Sequence, residues 1–322
     1  MSPTRRYQAP AWLPGGHAQT IYPALCLGGT PPAYQRERWE TPDGDFIELD
    51  WLPAQSTAPL FILFHGLEGS SRSHYARAVM ANVAARGWNG VVVHFRGCGG
   101  SPNRAPRAYH SGDHEEYDWI LRRFAQRRPA QARFAAGISL GGNALLKWLA
   151  RAGPQAHTVV SAAASVSAPI DLIAAGDGLA HGFNRLYAAM FLRTLKRKSL
   201  AKLERFPGLF AAQAVHRART LRAFDDIVTG PLHGFRDAQD YWTRASTHQE
   251  LALIKLPTLL VHARNDPFLP GRYLPASDEL PFNIEAEFPA EGGHVGFVQG
   301  AFPGNLDWLP NRLLDFMRRW SR

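Results

Sequence analysis

A chain of 322 residues, 45% hydrophobic and 20% charged, is long enough to bury a sizeable core, and it contains no apolar run of about 18 residues that would span a membrane. The formal net charge is +9. Arg carries most of it, scattered along the chain with no nucleic-acid-binding signature, so a solvated basic surface is expected rather than a nucleic-acid partner. Cys26 and Cys98 make neither a disulfide framework nor a zinc site and suit a reducing, cytoplasmic setting.

Residues 1–33 are rich in Pro, Gly and Ala and read as an irregular N-terminal arm. Arg5 and Arg6 precede no apolar stretch, so neither a signal peptide nor a twin-Arg signal is expected. Arg36–Thr41 and Phe46–Leu52 read as two strands around the turn signal Pro42-Asp43-Gly44. Pro59–His65 is a continuous apolar run, the pattern of a strand buried on both faces. Ser73–Arg86 follows with helical spacing and Gly87 behind it; Trp88–Phe95 is a second buried strand. Glu115–Arg127 is a helix, Ala132–Ile138 a strand, Leu140–Ala152 a helix and Val159–Val166 a strand. Thr258–Ala263 and Ile284–Phe288 are two late strands, and Asn305–Trp320 closes the chain as an amphipathic helix.

This alternation predicts a mostly parallel central sheet with helices on both faces, an α/β fold. Residues 171–247 interrupt it with a helical, basic stretch that reads as a cap inserted into a core of residues 34–170 and 248–322. In such sheets, chemistry gathers at the carboxyl ends of strands. Reactive residues should therefore follow strands directly.

Gly137-Ile138-Ser139-Leu140-Gly141 matches G-x-S-x-G between a strand and a helix, where a nucleophilic serine sits on a tight turn. A serine nucleophile needs a base, and the base needs an orienting carboxylate. Asp266 follows the strand Thr258–Ala263, and His294 follows Ile284–Phe288, in the order Ser, Asp, His. Asp278, Glu279 and Glu291 lack that placement. Oxyanion donors are expected from the Leu140 N–H at the helix start and the Leu67 N–H in His65-Gly66-Leu67-Glu68-Gly69, the loop after an early strand. His65 belongs to that loop and is not the base. Arg96-Gly97-Cys98-Gly99-Gly100-Ser101 lacks the Lys of a P-loop, and His114-Glu115-Glu116-Tyr117 is not a zincin motif. No metal or organic cofactor is called for. Cys98 reads as a small packing residue.

Taken together, His65-Gly66-Leu67-Glu68-Gly69-Ser70, Phe95–Gly100, Gly137–Asn143, Asn265-Asp266-Pro267-Phe268 and Gly292–Gly296 resemble the YheT-like α/β-hydrolases. That group is related to eukaryotic abhydrolase-domain esterases and phospholipases. Gly16-His17-Ala18-Gln19-Thr20 looks like its N-terminal signature, and Phe224-Asp225-Asp226 with Tyr241-Trp242 like its cap-end segment. The resemblance implies the α/β-hydrolase fold, with Ser139, Asp266 and His294 as a catalytic triad. It also implies hydrolysis of carboxylic esters of short to medium acyl length, lipid esters among them. Asn265 stands where the family often carries a first acid; Asp266 stays in register. Thioester or amide hydrolysis on the same triad, or a non-catalytic binding role, remain open alternatives.

In the cap, Phe191–Phe206 sets Leu192, Leu195, Ser199, Leu203 and Phe206 on one helical face, ringed by Arg193, Lys196, Arg197, Lys198 and Lys202. The expectation is a helix with its apolar face on the core and its charges in water. Peripheral contact with an anionic membrane is the alternative.

Overall fold

The computed structural model describes residues 6–52 and 57–321. Eight strands form one sheet: β1 (Gln35–Glu40), β2 (Phe46–Leu52), β3 (Leu60–Phe64), β4 (Asn89–His94), β5 (Arg133–Ile138), β6 (Ala162–Val166), β7 (Thr258–Val261) and β8 (Ile284–Glu287). Their spatial order is β1-β2-β4-β3-β5-β6-β7-β8. β2 runs antiparallel to both β1 and β4. From β4 onward every neighbour is parallel.

The sequence of β3, Leu-Phe-Ile-Leu-Phe, accounts for its central position. Successive side chains point to opposite faces, and here all five are buried. Leu60, Ile62 and Phe64 join one core cluster; Phe61 and Leu63 join the other. A strand with no polar face is stable only where helices cover the sheet on both sides. Tyr117, Ile120 and Phe124 of α3 (His114–Arg127) and Leu145 and Leu149 of α4 (Leu140–Ala152) pack into the first cluster. Val79 and Val83 of α2 (His74–Ala85) and Leu313 and Met317 of α11 (Trp308–Arg318) pack into the second. Burying one such side chain contributes about 1.5–3 kcal/mol, so either layer alone is a major part of the stability.

β3 lies between β4 and β5, so the chain winds away from it in both directions. Crevices open outside the carboxyl ends of strands at such a reversal. The loops after β3, β5, β7 and β8 meet there.

Two expectations need correction. The arm is not irregular throughout: Gly16–Cys26 forms helix α1. Gly15 and Gly16 resemble breakers but start the helix. Gly15 takes φ 82°, and Gly16 passes so near Asn265 that a Cβ would lie 2.0 Å from its carbonyl oxygen. Residues 1–5 of the arm, including Arg5, lie outside the described residues.

The second correction concerns the helical stretch between β6 and β7. It comprises α5 (Leu172–Leu179), α6 (Asn184–Arg205), α7 (Ala212–Arg217), α8 (Leu221–Phe224), a π turn at Asp225–Thr229, α9 (Gly230–Leu232) and α10 (Ala238–Ala245). Arg193 and Arg197 of α6 are not buried, as expected. Lys202 and Arg205 are instead docked. Lys202 Nζ donates to Asn103 Oδ1 (3.1 Å), Ala105 O (2.9 Å) and Arg107 O (3.1 Å), and Arg205 Nη1 donates to Asn103 O at 2.6 Å. The loop after β4 gathers three oxygens there, and an ammonium with three donors meets all of them, beside Asn103 Nδ2, which also donates to Ala105 O and Arg107 O. Periodicity in α6 could not reveal those acceptors, which are remote in sequence. No helix among the described residues is long and apolar enough to cross a membrane.

Candidate active site

Ser139 forms the whole connection between β5, ending at Ile138, and α4, starting at Leu140. Its φ of 54° and ψ of −122° lie in a region that non-glycine residues rarely occupy, a strain of order 1–3 kcal/mol. Hydrogen bonds hold it there. Its N–H donates to Val166 O at 2.8 Å, and its carbonyl accepts from the Gly142 and Asn143 N–H groups at 2.9 and 3.1 Å. The flanking glycines are required by backbone proximity: a Cβ on Gly137 would lie 2.3 Å from Gly141 O, and one on Gly141 2.4 Å from His65 O.

His294 reaches Ser139 from the loop after β8. Its Nε2 lies 2.9 Å from Ser139 Oγ, and its Nδ1 lies 2.8 Å from Asp266 Oδ2. A carboxylate only accepts, so Nδ1 carries the ring hydrogen and Nε2 accepts from the Ser139 hydroxyl. Asp266 is 1% exposed. Burial pushes its carboxyl up, but the attraction and hydrogen bond of His294, with His262 and the Phe268 N–H, outweigh burial and hold it below its ordinary value. It therefore stays ionised at neutral pH. The Phe268 ring packs on His294 with centroids 4.1 Å apart. Two of the other acids are engaged elsewhere: Glu291 Oε1 accepts from Gln19 Nε2 (3.3 Å), and Glu279 Oε2 from the Ala276 N–H (2.8 Å).

Leu67, Leu140, Ser139 and His294 line one cavity. Neither the Leu67 nor the Leu140 N–H donates to a protein group among the described residues. Gly66 passes close enough that a Cβ would sit 3.1 Å from Ser139 Cβ. His65 turns away from Ser139. Its Nδ1 lies 2.7 Å from Gly66 O, and its Nε2 accepts the Phe95 N–H at 3.1 Å, so the ring is neutral. Burial, with His94 nearby, pushes it down to about 3.

The arm supplies residues that sequence reasoning left without a role. Gln19 is fully buried. Its Oε1 accepts from the Gly292 N–H (2.8 Å) and Asn265 Nδ2 (2.9 Å), while its Nε2 donates to Leu13 O (2.9 Å). Asn265 Oδ1 accepts from the Gly293 N–H at 2.9 Å. Thr20 Oγ1 accepts from the His294 N–H at 2.8 Å. The Asp266 and His294 loops are thus fastened to each other and to α1. The available signal was a pair of polar residues inside an apolar segment, Gln19-Thr20, within the motif noted above.

The cavity encloses about 120 Å³. Phe191 and Leu195 of α6, Leu221, Phe224, Trp242 and Phe268 give it a largely apolar wall. Asp225 is the acid in that wall. Burial pushes its carboxyl up to about 6, although Thr229 Oγ1 (2.5 Å) and Trp242 Nε1 (2.8 Å) donate to it.

The chain is similar to known proteins over most of its length. The profile of the α/β hydrolase fold family matches residues 59–301. YheT of Escherichia coli (strain K12), an esterase candidate by its name, is 41% identical over 307 residues, covering 94% of this chain and 89% of that protein. Phospholipase ABHD3 of Mus musculus is 28% identical over 326 residues, covering 98% of this chain and 79% of that protein. Among solved structures, the esterase Pf2001 of Pyrococcus furiosus superposes with a TM-score of 0.57 at 16% identity, over all of both chains.

Proposed function

The chain belongs to the α/β-hydrolase fold family, and from that premise we propose that it is a serine hydrolase that cleaves carboxylic esters. The observation that carries the reading is the unbroken hydrogen-bonded line from Ser139 Oγ through His294 to Asp266, at 2.9 and 2.8 Å, beside two unengaged N–H groups. Esterase and phospholipase relatives support it.

In this mechanism Ser139 Oγ attacks the ester carbonyl carbon while His294 Nε2 takes its proton. The Leu67 and Leu140 N–H groups stabilise the oxyanion, and Asp266 stabilises the imidazolium. Collapse breaks the bond to the leaving alcohol, which receives the proton from His294. Water then attacks the acyl enzyme, giving its proton to His294, and the acid departs as Ser139 Oγ recovers that proton. The apolar wall suits an acyl chain, and short- to medium-chain esters, lipid esters included, are the proposed substrates. The test is an ester panel of graded chain length, with Ser139→Ala as control and a fluorophosphonate probe reporting the nucleophile. Labelling that survives Ser139→Ala would sink the assignment. Turnover of thioesters or amides in preference to esters would move it to another acyl transfer.

A second observation favours peripheral contact with an anionic bilayer. Phe183, Leu186, Met190, Arg193 and Arg197 recur at alternating three- and four-residue spacing, along one face of α6 and its N-cap. The three apolar residues are 47%, 57% and 69% exposed. Phe191 and Leu195, on another face, line the cavity. An exposed apolar stripe continued by two cations matches a lipid surface with anionic headgroups. Co-sedimentation with phosphatidylserine-containing vesicles should exceed that with phosphatidylcholine alone. It should fall in Leu186→Asp/Met190→Asp; equal binding of the double variant rejects this contact.

A further inference from the structure

The loop carrying Leu67 is gripped on both sides of that residue. On one side, the Gly66 N–H donates to Tyr75 Oη at 2.9 Å. On the other, the Glu68 N–H donates to Tyr109 Oη at 3.0 Å, and the same hydroxyl donates to Glu68 Oε1 at 2.7 Å. Lys198 Nζ donates to that carboxylate oxygen at 2.9 Å. The Leu67 N–H between these anchors is left to the cavity. Glu68 itself takes φ 55°, where a residue with a side chain is strained. Its side chain is nevertheless 8% exposed, turned inward onto Tyr109 and Lys198. A surface turn with a left-handed backbone would normally carry Gly, Asn or Asp. A Glu whose carboxylate is clamped by two groups remote in sequence points to another requirement.

Resting on the ester-hydrolase reading above, we infer that Glu68 is a positioning residue: held by Tyr109 and Lys198, its carboxylate fixes the 67–68 peptide, and with it the adjoining 66–67 peptide, whose N–H is that of Leu67, so that this donor is aimed at the oxyanion. The clamp also has a second end. Lys198 lies on α6, the helix whose Phe191 and Leu195 line the cavity. A shift of that helix would reach the donor through the Lys198–Glu68 pair. Cys98, 3.3 Å from Lys198 Nζ, packs against the same junction. Tyr109 keeps its proton to donate, because burial and the neighbouring Cys98 and Glu68 raise its hydroxyl well above the ordinary range. Tyr109 also stacks on Phe95, with centroids 4.9 Å apart and planes at 18°, so the clamp stands on the rigid end of β4.

The test separates aim from strain. Glu68→Gly removes the carboxylate and accepts the left-handed backbone without a Cβ penalty; Glu68→Gln keeps an oxygen acceptor for Tyr109 and Lys198. We expect Glu68→Gly and Tyr109→Phe to keep a wild-type fold and KM within about threefold. Their kcat should fall about tenfold to a hundredfold, the scale for a misplaced catalytic group. The double variant should fall no further than either single one, and Glu68→Gln should recover much of the loss. Affinity for a boronic acid, which forms the tetrahedral adduct, should drop in parallel with kcat. A Glu68→Gly enzyme with wild-type kcat and boronate affinity overturns the inference and leaves the ester-hydrolase reading standing. A wild-type protein with neither ester turnover nor fluorophosphonate labelling at Ser139 overturns both.

Discussion

Thr20 Oγ1 accepts the backbone N–H of His294 at 2.8 Å and donates to Gly16 O at 2.6 Å. One hydroxyl therefore ties the loop that presents the imidazole to the first turn of α1. Thr20→Val keeps the shape and removes both bonds; the His294 N–H loses its acceptor, while Gly16 O keeps its helical bond in α1. The expected cost is about 1–3 kcal/mol of stability, read from urea midpoints. Because the freed loop carries His294, kcat should fall about tenfold or more while KM changes little.

Gln19→Leu tests the neighbouring fastening. The substitution strands the Gly292 N–H and the Asn265 amide, which meet on Gln19 Oε1. Two buried groups lose their acceptor, so destabilisation should exceed that of Thr20→Val, by about 1 kcal/mol or more. Similar midpoints for the two variants would show that Gln19 fastens these loops no more tightly than Thr20 does.

Ser139 carries backbone strain that a glycine would release. Ser139→Gly and Ser139→Ala both lose the Oγ–His294 bond, so comparing them isolates the backbone. Both should lose about 10⁴-fold or more in turnover. Ser139→Gly should be the more stable by about 1 kcal/mol, measured by urea denaturation. Equal stability would mean that the turn is not strained.

His65 makes a prediction about pH. Burial and the nearby His94 hold it down to about 3, so the folded protein resists a proton that the unfolded chain accepts near 6.5. Below about 6.5 the unfolded state therefore binds more protons, and stability falls as pH drops toward 3, by up to about 1.4 kcal/mol per unit for this one group. Burial depresses His74 to about 4 and His110 to about 3, in the same sense. His65→Gln should narrow the stability gap between pH 7 and pH 5 by about 1–2 kcal/mol, the linkage expected of one such group. An unchanged gap would contradict the buried neutral ring.

Asp266 orients the Nδ1 hydrogen of His294, so Asp266→Asn should lower kcat by about 10⁴. Retained turnover would point to another acid.

The strands were legible because their cause is local. Leu60–Phe64 is apolar at every position, a pattern satisfied only inside a covered sheet. The positions of Ser139, Asp266 and His294 followed from the same source, since each comes just after a strand end. The arm was misread for the opposite reason. Gly15 and Gly16 look like breakers, and what makes them a helix start is the nearness of Asn265, which lies far along the chain. Likewise Lys198 and Lys202 read as solvated charges, because their acceptors, Glu68 and the loop after β4, are distant in sequence. The sequence by itself determined the layered α/β architecture and which residues end its strands, since periodicity and burial act between near neighbours. Only the tertiary structure decided what grips the loop carrying Leu67, what fastens His294 and which side chains wall the cavity, because those depend on hydrogen bonds and contacts between segments that folding alone brings together.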